Sequence, residues 1–463
     1  MNKITIIFLF VCINFEIQAQ QLPPVFGQEY TNKSFQDSRV RTYLAPQRIV
    51  WKYDGGGTLV RNPEGLLERG NGQSELTNKQ MCIMHSTANE YPSILLDFGK
   101  EIQGGLQIVT GTAGTSAKIR VRLGESVSEA MSTVGKNGAT NDHAIRDFTL
   151  AVPWLGVAEI GNSGFRFARI DLIEPDITLS LKEVNAVFTY RDIPYLGSFR
   201  SNNERLNKIW LTGAYTVHLN MQEYIWDGIK RDRLVWLGDL HPEVMTVNTV
   251  FGYNDVIPKS LDLARDITPL PGWMNGMASY SLWWIIIQRD WYKYQGNQAY
   301  LKEQQTYLTD LLNILFTKIE SSGKEKLDGG GRFLDWPSSP NIKGIDAGLQ
   351  ALMVLAFQAG AEMCAVLGDE PLAKKCTATV EVMKKYVPDH NQLKQAAALL
   401  ALADMLPAKK ADEEVISVGG AKDFSTFYGY YMLQAQAKAG NYQAAIDNIS
   451  RFWGGMLDMG ATT

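Results

Sequence analysis

Cysteine is nearly missing from this chain of 463 residues: there are four. Cys12 sits in an apolar N-terminal run, and the other three, Cys82, Cys364 and Cys376, are odd in number and irregular in spacing. That excludes a disulfide framework and a zinc site alike. Cys364 and Cys376 stay open either to pairing or to burial as free thiols. Histidine is scarce too, five in all, and none shows metal-ligand spacing. Positive charge is not in excess: the net charge of −4 lacks the basic footprint of a nucleic-acid partner. Internal repeats of solenoid type are absent. What is plentiful is tryptophan, eleven residues. Most belong to large cores, and the surplus hints at flat ring-shaped ligands.

The N-terminus reads as an address. Lys3 supplies a positive start, Ile4 to Ile13 an apolar core, and Ile17-Gln18-Ala19 a cleavage site before Gln20. The run is too short to span a bilayer, and no small residue precedes Cys12 as a lipid anchor requires. The expectation is a signal peptide over 1–19 and an exported protein, periplasmic or extracellular, with no membrane insertion. The remaining length exceeds what one core uses comfortably, so two domains are expected.

From 20 to 196 the pattern is β. LLDFGKEIQGGLQIVTG places two apolar runs on either side of a predicted glycine turn. AKIRVRLGESV alternates Ile119, Val121 and Leu123 inward with Lys118, Arg120 and Arg122 outward. GFRFARIDLIE and EVNAVFTYRD repeat the period, which predicts an antiparallel β-sandwich. Glu125, Glu129, His143 and Asp147 read as scattered charges on a solvated sheet face, His143 as a turn residue. From 197 to 463 the period is helical. Asn202 or Asn203 caps the first helix, and segments follow near 240–252, 256–266, 277–294, 298–321, 344–367, 370–386, 390–405, 425–439 and 442–454. Long helices in succession, with aromatic and acidic residues gathered in certain loops, fit a double ring of helices with a cleft at one end.

One stretch stands apart. EYIWDGIKRDRLVWLGDLHPE, Glu223 to Glu243, sets eight charged residues and two tryptophans between amphipathic helices. It is poor core material and good site material. It holds three aspartates, Asp227, Asp232 and Asp239, and carboxyls that crowd together raise one another's proton affinity, as glycoside hydrolysis requires of its acid. Trp236 suits a sugar face, and Arg231 and Arg233 can hold ionised partners. A salt-bridged connection in which these charges merely satisfy each other fits the same spacing. Metal binding is weaker, since His241 is isolated and no ligand spacing is present.

WDGIKRDRLVWLGD resembles the catalytic loop of glycoside hydrolase family 78, the α-L-rhamnosidases. The resemblance extends through HPEVMTVNTVFGYND, PGWMNGMASYSLWWIIIQRDWYKYQGN, GRFLDWPSS and GGMLDMGATT, and back into LLDFGKEIQGGLQI, RLGESVSEAMS and GFRFARIDL. It implies a β-sandwich followed by an (α/α)6 barrel and an inverting enzyme; no cofactor is expected and no residue is assigned to a metal. Its partner would be a rhamnose-containing oligosaccharide or glycoside; no oligomeric state follows from it. Position by position, it implies that Asp227 and Asp239 bind rhamnose hydroxyls and that Trp236 lines the pocket. Asp232 falls where the general acid belongs, commonly Glu and here one methylene shorter, with Glu223 and Glu243 in reserve. Arg231 and Glu243 join the binding set. Asp335 and Trp336 come from a second loop, and Trp273 and Trp283 offer apolar wall; for Trp283, Trp284 and Trp291 core packing is the plainer role.

An inverting enzyme also needs a base, roughly 6.5–9.5 Å from the acid. The resemblance places that glutamate just after the phrase GATT, here Gly460 to Thr463, and so implies a C-terminally truncated chain of slow turnover. Three readings follow: an exported rhamnosidase acting on plant glycans or glycosides; a catalytically impaired sugar-binding relative; and a lyase or uronide hydrolase on the same barrel. The acidic balance and lone His241 disfavour the last.

Overall fold

The computed structural model describes residues 37–76 and 80–463; the expected signal peptide lies outside them. Nine strands make one antiparallel hydrogen-bonded sheet: β1 (Arg39–Leu44), β2 (Arg48–Tyr53), β3 (Val60–Arg61), β4 (Cys82–His85), β5 (Ser93–Gly114), β6 (Ala117–Gly124), β7 (Asp147–Val152), β8 (Val157–Leu172) and β9 (Thr178–Arg191). Their order is β3-β4-β9-β5-β8-β6-β7, with β1 also on β9 and β2 on β5. Ile119, Val121 and Leu123 point into the sheet's core as the period predicts.

Two expectations fail here. Gly104 and Gly105 do not form a turn; β5 runs on through them as one strand with register shifts around Asp97 to Leu106. A side chain at Gly104 would sit 1.8 Å from the Val187 carbonyl oxygen, so glycine here allows close strand approach and a bulge. Arg122 is not outward but buried, its Nη2 donating to Asp171 at 2.7 Å. An ion pair replaces solvent, which a period of two cannot reveal.

A short helix, α1 (Val127–Met131), follows β6, and the helical region then begins with α2 (Glu204–Asn220), capped by Asn203. The next elements are α3 (Leu237–Thr246), continued by a π turn at Val247–Phe251, α4 (Val256–Asp266), α5 (Ala278–Gln295) and α6 (Gln298–Thr317). After them come α7 (Ile342–Val366), α8 (Glu370–Met383), α9 (Lys394–Leu402), α10 (Ala408–Ala411), α11 (Gly429–Lys438) and α12 (Tyr442–Asp458). The predicted segments each overlap one of these. Two helices were not predicted: α1, within the stretch read as β, and the one at Ala408, hidden in a charged stretch whose anchors Ala411, Val415 and Ile416 are buried.

Helices α3, α5, α7, α9 and α11 pack in succession, each on the next, and α2 lies against α12. Trp283, Trp284 and Trp291 are buried in this core. By length and composition α7 could cross a membrane, but most of its apolar window is buried in the fold. Cys82, Cys364 and Cys376 are free and buried.

Candidate active site

The loop between α2 and α3 closes on itself. The Asp227 amide donates to the Leu234 carbonyl at 3.1 Å, and the Leu234 amide donates back to Asp227 Oδ1 at 2.9 Å. At the tip, Asp232 and Arg233 take left-handed backbone angles, φ 54° and 57°, a strained choice for non-glycine residues and a mark of functional loops. The start of α3 is capped from outside: the Leu237 amide donates to Asn275 Oδ1 at 3.1 Å, and Asn275 Nδ2 donates to the Val235 carbonyl. Gly238 lies flat beneath the Tyr280 ring, where a Cβ would meet Cε1 at 2.1 Å.

This geometry delivers Asp227, Asp239 and Glu243 to one open cavity of about 620 Å³ between α2, α3, α11 and α12. Asn220 completes its polar pole, and Trp210, Phe427, Tyr430, Leu433 and Trp453 form apolar wall. Glu243 is buried; Asn220 Nδ2 donates to its Oε1 at 2.7 Å, and its Oε2 has no protein partner. Burial first, then Asp239 and Asp227, raises the Glu243 carboxyl well above the ordinary range, against the Asn220 hydrogen bond. Burial, with help from Asp227 and Asp232, pushes Asp239 up to about 7. Burial and Asp232 push Asp227 up to about 6, against the Leu234 amide. Asp239 lies in the first turn of α3, where the helix dipole favours the ionised form by about 0.3–1 kcal/mol. Burial outweighs it.

The remaining predicted residues do not line this cavity. Asp232 is near enough to raise Asp227 and Asp239, but its own partners lie elsewhere: Oδ2 accepts from Trp236 Nε1 at 3.1 Å, while Oδ1 lies 3.3 Å from His143 Nδ1 and 3.2 Å from Arg231 Nε. Arg231 is largely exposed and also faces Asp142. Trp236 packs edge-on against Tyr280. Trp273 is buried, its Nε1 donating to the Asp328 carbonyl at 2.7 Å. Asp335 is a buried hub accepting from Ser338, Gln395 and Ser425. Its neighbour Trp336 is 80 % exposed. Glu223 is a surface group facing Lys259.

His241 is not isolated. Its Nε2 lies 2.7 Å from Asp290 and its Nδ1 2.8 Å from the Tyr431 hydroxyl, with the ring stacked on Trp283. Burial works against ionisation of Asp290, yet hydrogen bonds from His241 and Arg289 hold its carboxyl down at about 2. Of the β-region charges, Glu125 and His143 are exposed as expected, Asp147 is half-buried, and Glu129 is not on a solvated face. Glu129 is buried beside Lys230 Nζ (3.1 Å), which also holds Glu125 (2.8 Å). The Gly164 amide donates to the Ile229 carbonyl at 2.9 Å, and Arg233 Nη1 donates to the Asn162 carbonyl at 2.8 Å. The loop is thus held by the sheet region as well as by the helices. Asn220, His143, Asn275 and Tyr280 escaped the sequence reading. Only Asn220, on the turn of helix before the charged loop, carried any local signal.

Among the described residues no group of His, Cys, Asp and Glu is arranged to hold a metal ion. No curated protein matches the chain significantly. Residues 194–463 match the family described as bacterial alpha-L-rhamnosidase 6 hairpin glycosidase domain. Among solved structures, a rhamnosidase from Klebsiella oxytoca with rhamnose bound is similar at TM-score 0.74 and 18% identity, covering 93% of this chain and 90% of that one. A family 78 rhamnosidase of Bacillus sp. GL1 is similar at 0.71 and 19%, over 87% of this chain but 45% of its own. The Streptomyces avermitilis α-L-rhamnosidase complexed with L-rhamnose follows at 0.63 and 19%, over 82% and 40%. The chain therefore spans less than half the length of the last two. At these identities the likeness is one of fold.

Proposed function

The chain belongs to the bacterial α-L-rhamnosidase six-hairpin glycosidase family, and from that premise we propose that it is an exported glycoside hydrolase removing terminal α-L-rhamnose from plant glycans or glycosides with inversion. In this reading the sheet region is a β-sandwich and the helices belong to an (α/α)6 barrel. Asp227, Asp239 and Glu243 bind the sugar's hydroxyls, and Asp232, which acts electrostatically on the first two, protonates the leaving oxygen.

The observation that carries the reading is the polar pole of the cavity. Three carboxyls with raised proton affinity stand together against aromatic wall, so each can donate as well as accept a hydrogen bond to a hydroxyl-rich ring. The solved rhamnosidases bound to rhamnose support the choice of sugar.

One observation favours a second reading, a sugar-binding relative with little turnover. An inverting hydrolase needs an ionised carboxylate beside the attacking water, and every carboxyl lining this cavity is shifted toward its protonated form. Incubation with an aryl α-L-rhamnoside, beside calorimetry with free L-rhamnose, separates the two. Release of the aryl group supports the hydrolase, and binding without release supports the relative. Neither, from a chain that melts cooperatively, rejects rhamnose as ligand.

A further inference from the structure

Outside the cavity, the feature least accounted for is the meeting of two strained turns from different parts of the chain. His143, in the stretch between β6 and β7, has a left-handed backbone with φ 61°; Asp232, at the tip of the loop before α3, has φ 54°. Their side chains meet, His143 Nδ1 lying 3.3 Å from Asp232 Oδ1. The other face of the imidazole is held too, with Nε2 3.3 Å from Asp142 Oδ1. The His143 carbonyl accepts from Arg233 Nη2 at 3.4 Å, so the same residue contacts the loop through both main chain and side chain. Asp232 Oδ1 is shut off from solvent and completes no hydrogen bond among the described residues; besides His143 it faces Arg231 Nε at 3.2 Å. Oδ2 is fixed by Trp236 Nε1.

A carboxyl on a one-carbon stem has two torsions to fix. Trp236 anchors one oxygen, and only Arg231 and His143 face the other. Both also face Asp142, and Arg231 is the weaker anchor because its side chain is 60% exposed against 40% for His143. Charged groups near Asp232 from the packed elements are Asp142 and His143 on the sheet side, Arg231 on the loop, and Asp227 and Asp239 on the cavity side. Of the two groups facing Oδ1, the imidazole belongs to a residue from outside the loop whose main chain is itself bonded to the loop through Arg233.

We propose that His143 is a positioning residue for the reaction: it orients the Asp232 carboxyl toward the leaving oxygen, so that the sheet region contributes a working side chain to the active site. This rests on the reading of Asp232 as proton donor. A displacement of about 1 Å in such a group is worth up to roughly a hundredfold in rate.

The test compares wild type, His143→Ala, His143→Asn and Asp232→Asn on 4-nitrophenyl α-L-rhamnoside and on a simple alkyl α-L-rhamnoside, whose poorer leaving group depends more on the acid. His143→Ala should lower kcat on the alkyl substrate about tenfold or more with KM within about twofold, affect the nitrophenyl substrate much less, and be partly rescued in His143→Asn. Rates for His143→Ala within about twofold of wild type on both substrates, with Asp232→Asn impaired, overturn the inference. An unimpaired Asp232→Asn removes Asp232 as acid instead. A readout independent of turnover is the His143 ring nitrogen signal in NMR, identified by its loss in His143→Ala. The Nδ1 resonance should move in Asp232→Ala, and an unmoved resonance overturns the contact and the inference with it.

Discussion

Glu243 is buried in the cavity wall, takes one hydrogen bond from Asn220, and leaves Oε2 without a protein partner. A buried carboxyl in that state is stable only with its proton on. Glu243→Gln should therefore change folding stability by less than about 1 kcal/mol at neutral pH, because the amide copies the protonated acid and its oxygen still accepts from Asn220. Asn220→Leu removes the sole donor and should cost about 1–3 kcal/mol. Urea unfolding of the two variants checks both; equal losses would show that the pair is not what satisfies this end of the cavity.

At the scale of elements, the loop before α3 depends on glycine where chain meets chain. Gly164 in β8 donates its amide to the Ile229 carbonyl, and a Cβ there would come 2.7 Å from Ile229 Cγ1 and 3.0 Å from the Lys230 amide nitrogen. Gly164→Ala should destabilise by about 1–3 kcal/mol and weaken rhamnose binding by calorimetry, whereas a cavity independent of the loop would keep its affinity. Asn275→Ala, which deletes the cap on α3, should cost about 1 kcal/mol in a thermal melt. These elements were legible to different degrees. The helices were readable because an apolar stripe at period 3.6 survives almost any tertiary arrangement, and the charged loop because it broke that stripe. The turn predicted at Gly104 was not there, since glycine marks close approach as well as reversal, and only the partner Val187 decides which. Trp336 and Trp273 look alike in sequence, yet one is in solvent and the other bonded to a carbonyl. His143 had no chance of being read: its importance lies in a contact across 89 residues.

For the whole molecule, pH acts through these buried acids in opposite directions. Asp227 and Asp239 hold their protons more tightly folded than unfolded, to about 6 and about 7. They impose no cost below the ordinary carboxylate range, and an increasing one as pH rises from about 4 to about 7. Asp290, held at about 2, behaves the other way. Its contribution is present above the ordinary range and is lost as pH falls from about 4 through about 2. Asp239→Asn should therefore flatten the decline in stability between pH 5 and pH 8 without altering the acid limb, as denaturant titrations at several pH values would record. A decline as steep as in wild type would mean that Asp239 is ionised throughout.

The attachment of the loop to Glu125, Glu129, His143, Asn162 and Gly164 also bears on how such a protein can diversify. Two bodies that share one moving part cannot be exchanged independently. A sheet region grafted from a distant relative would deliver a sound scaffold and a misaligned tool unless those five positions travelled with it. Change in either half of the chain is therefore constrained by the other through a seam only a few side chains wide.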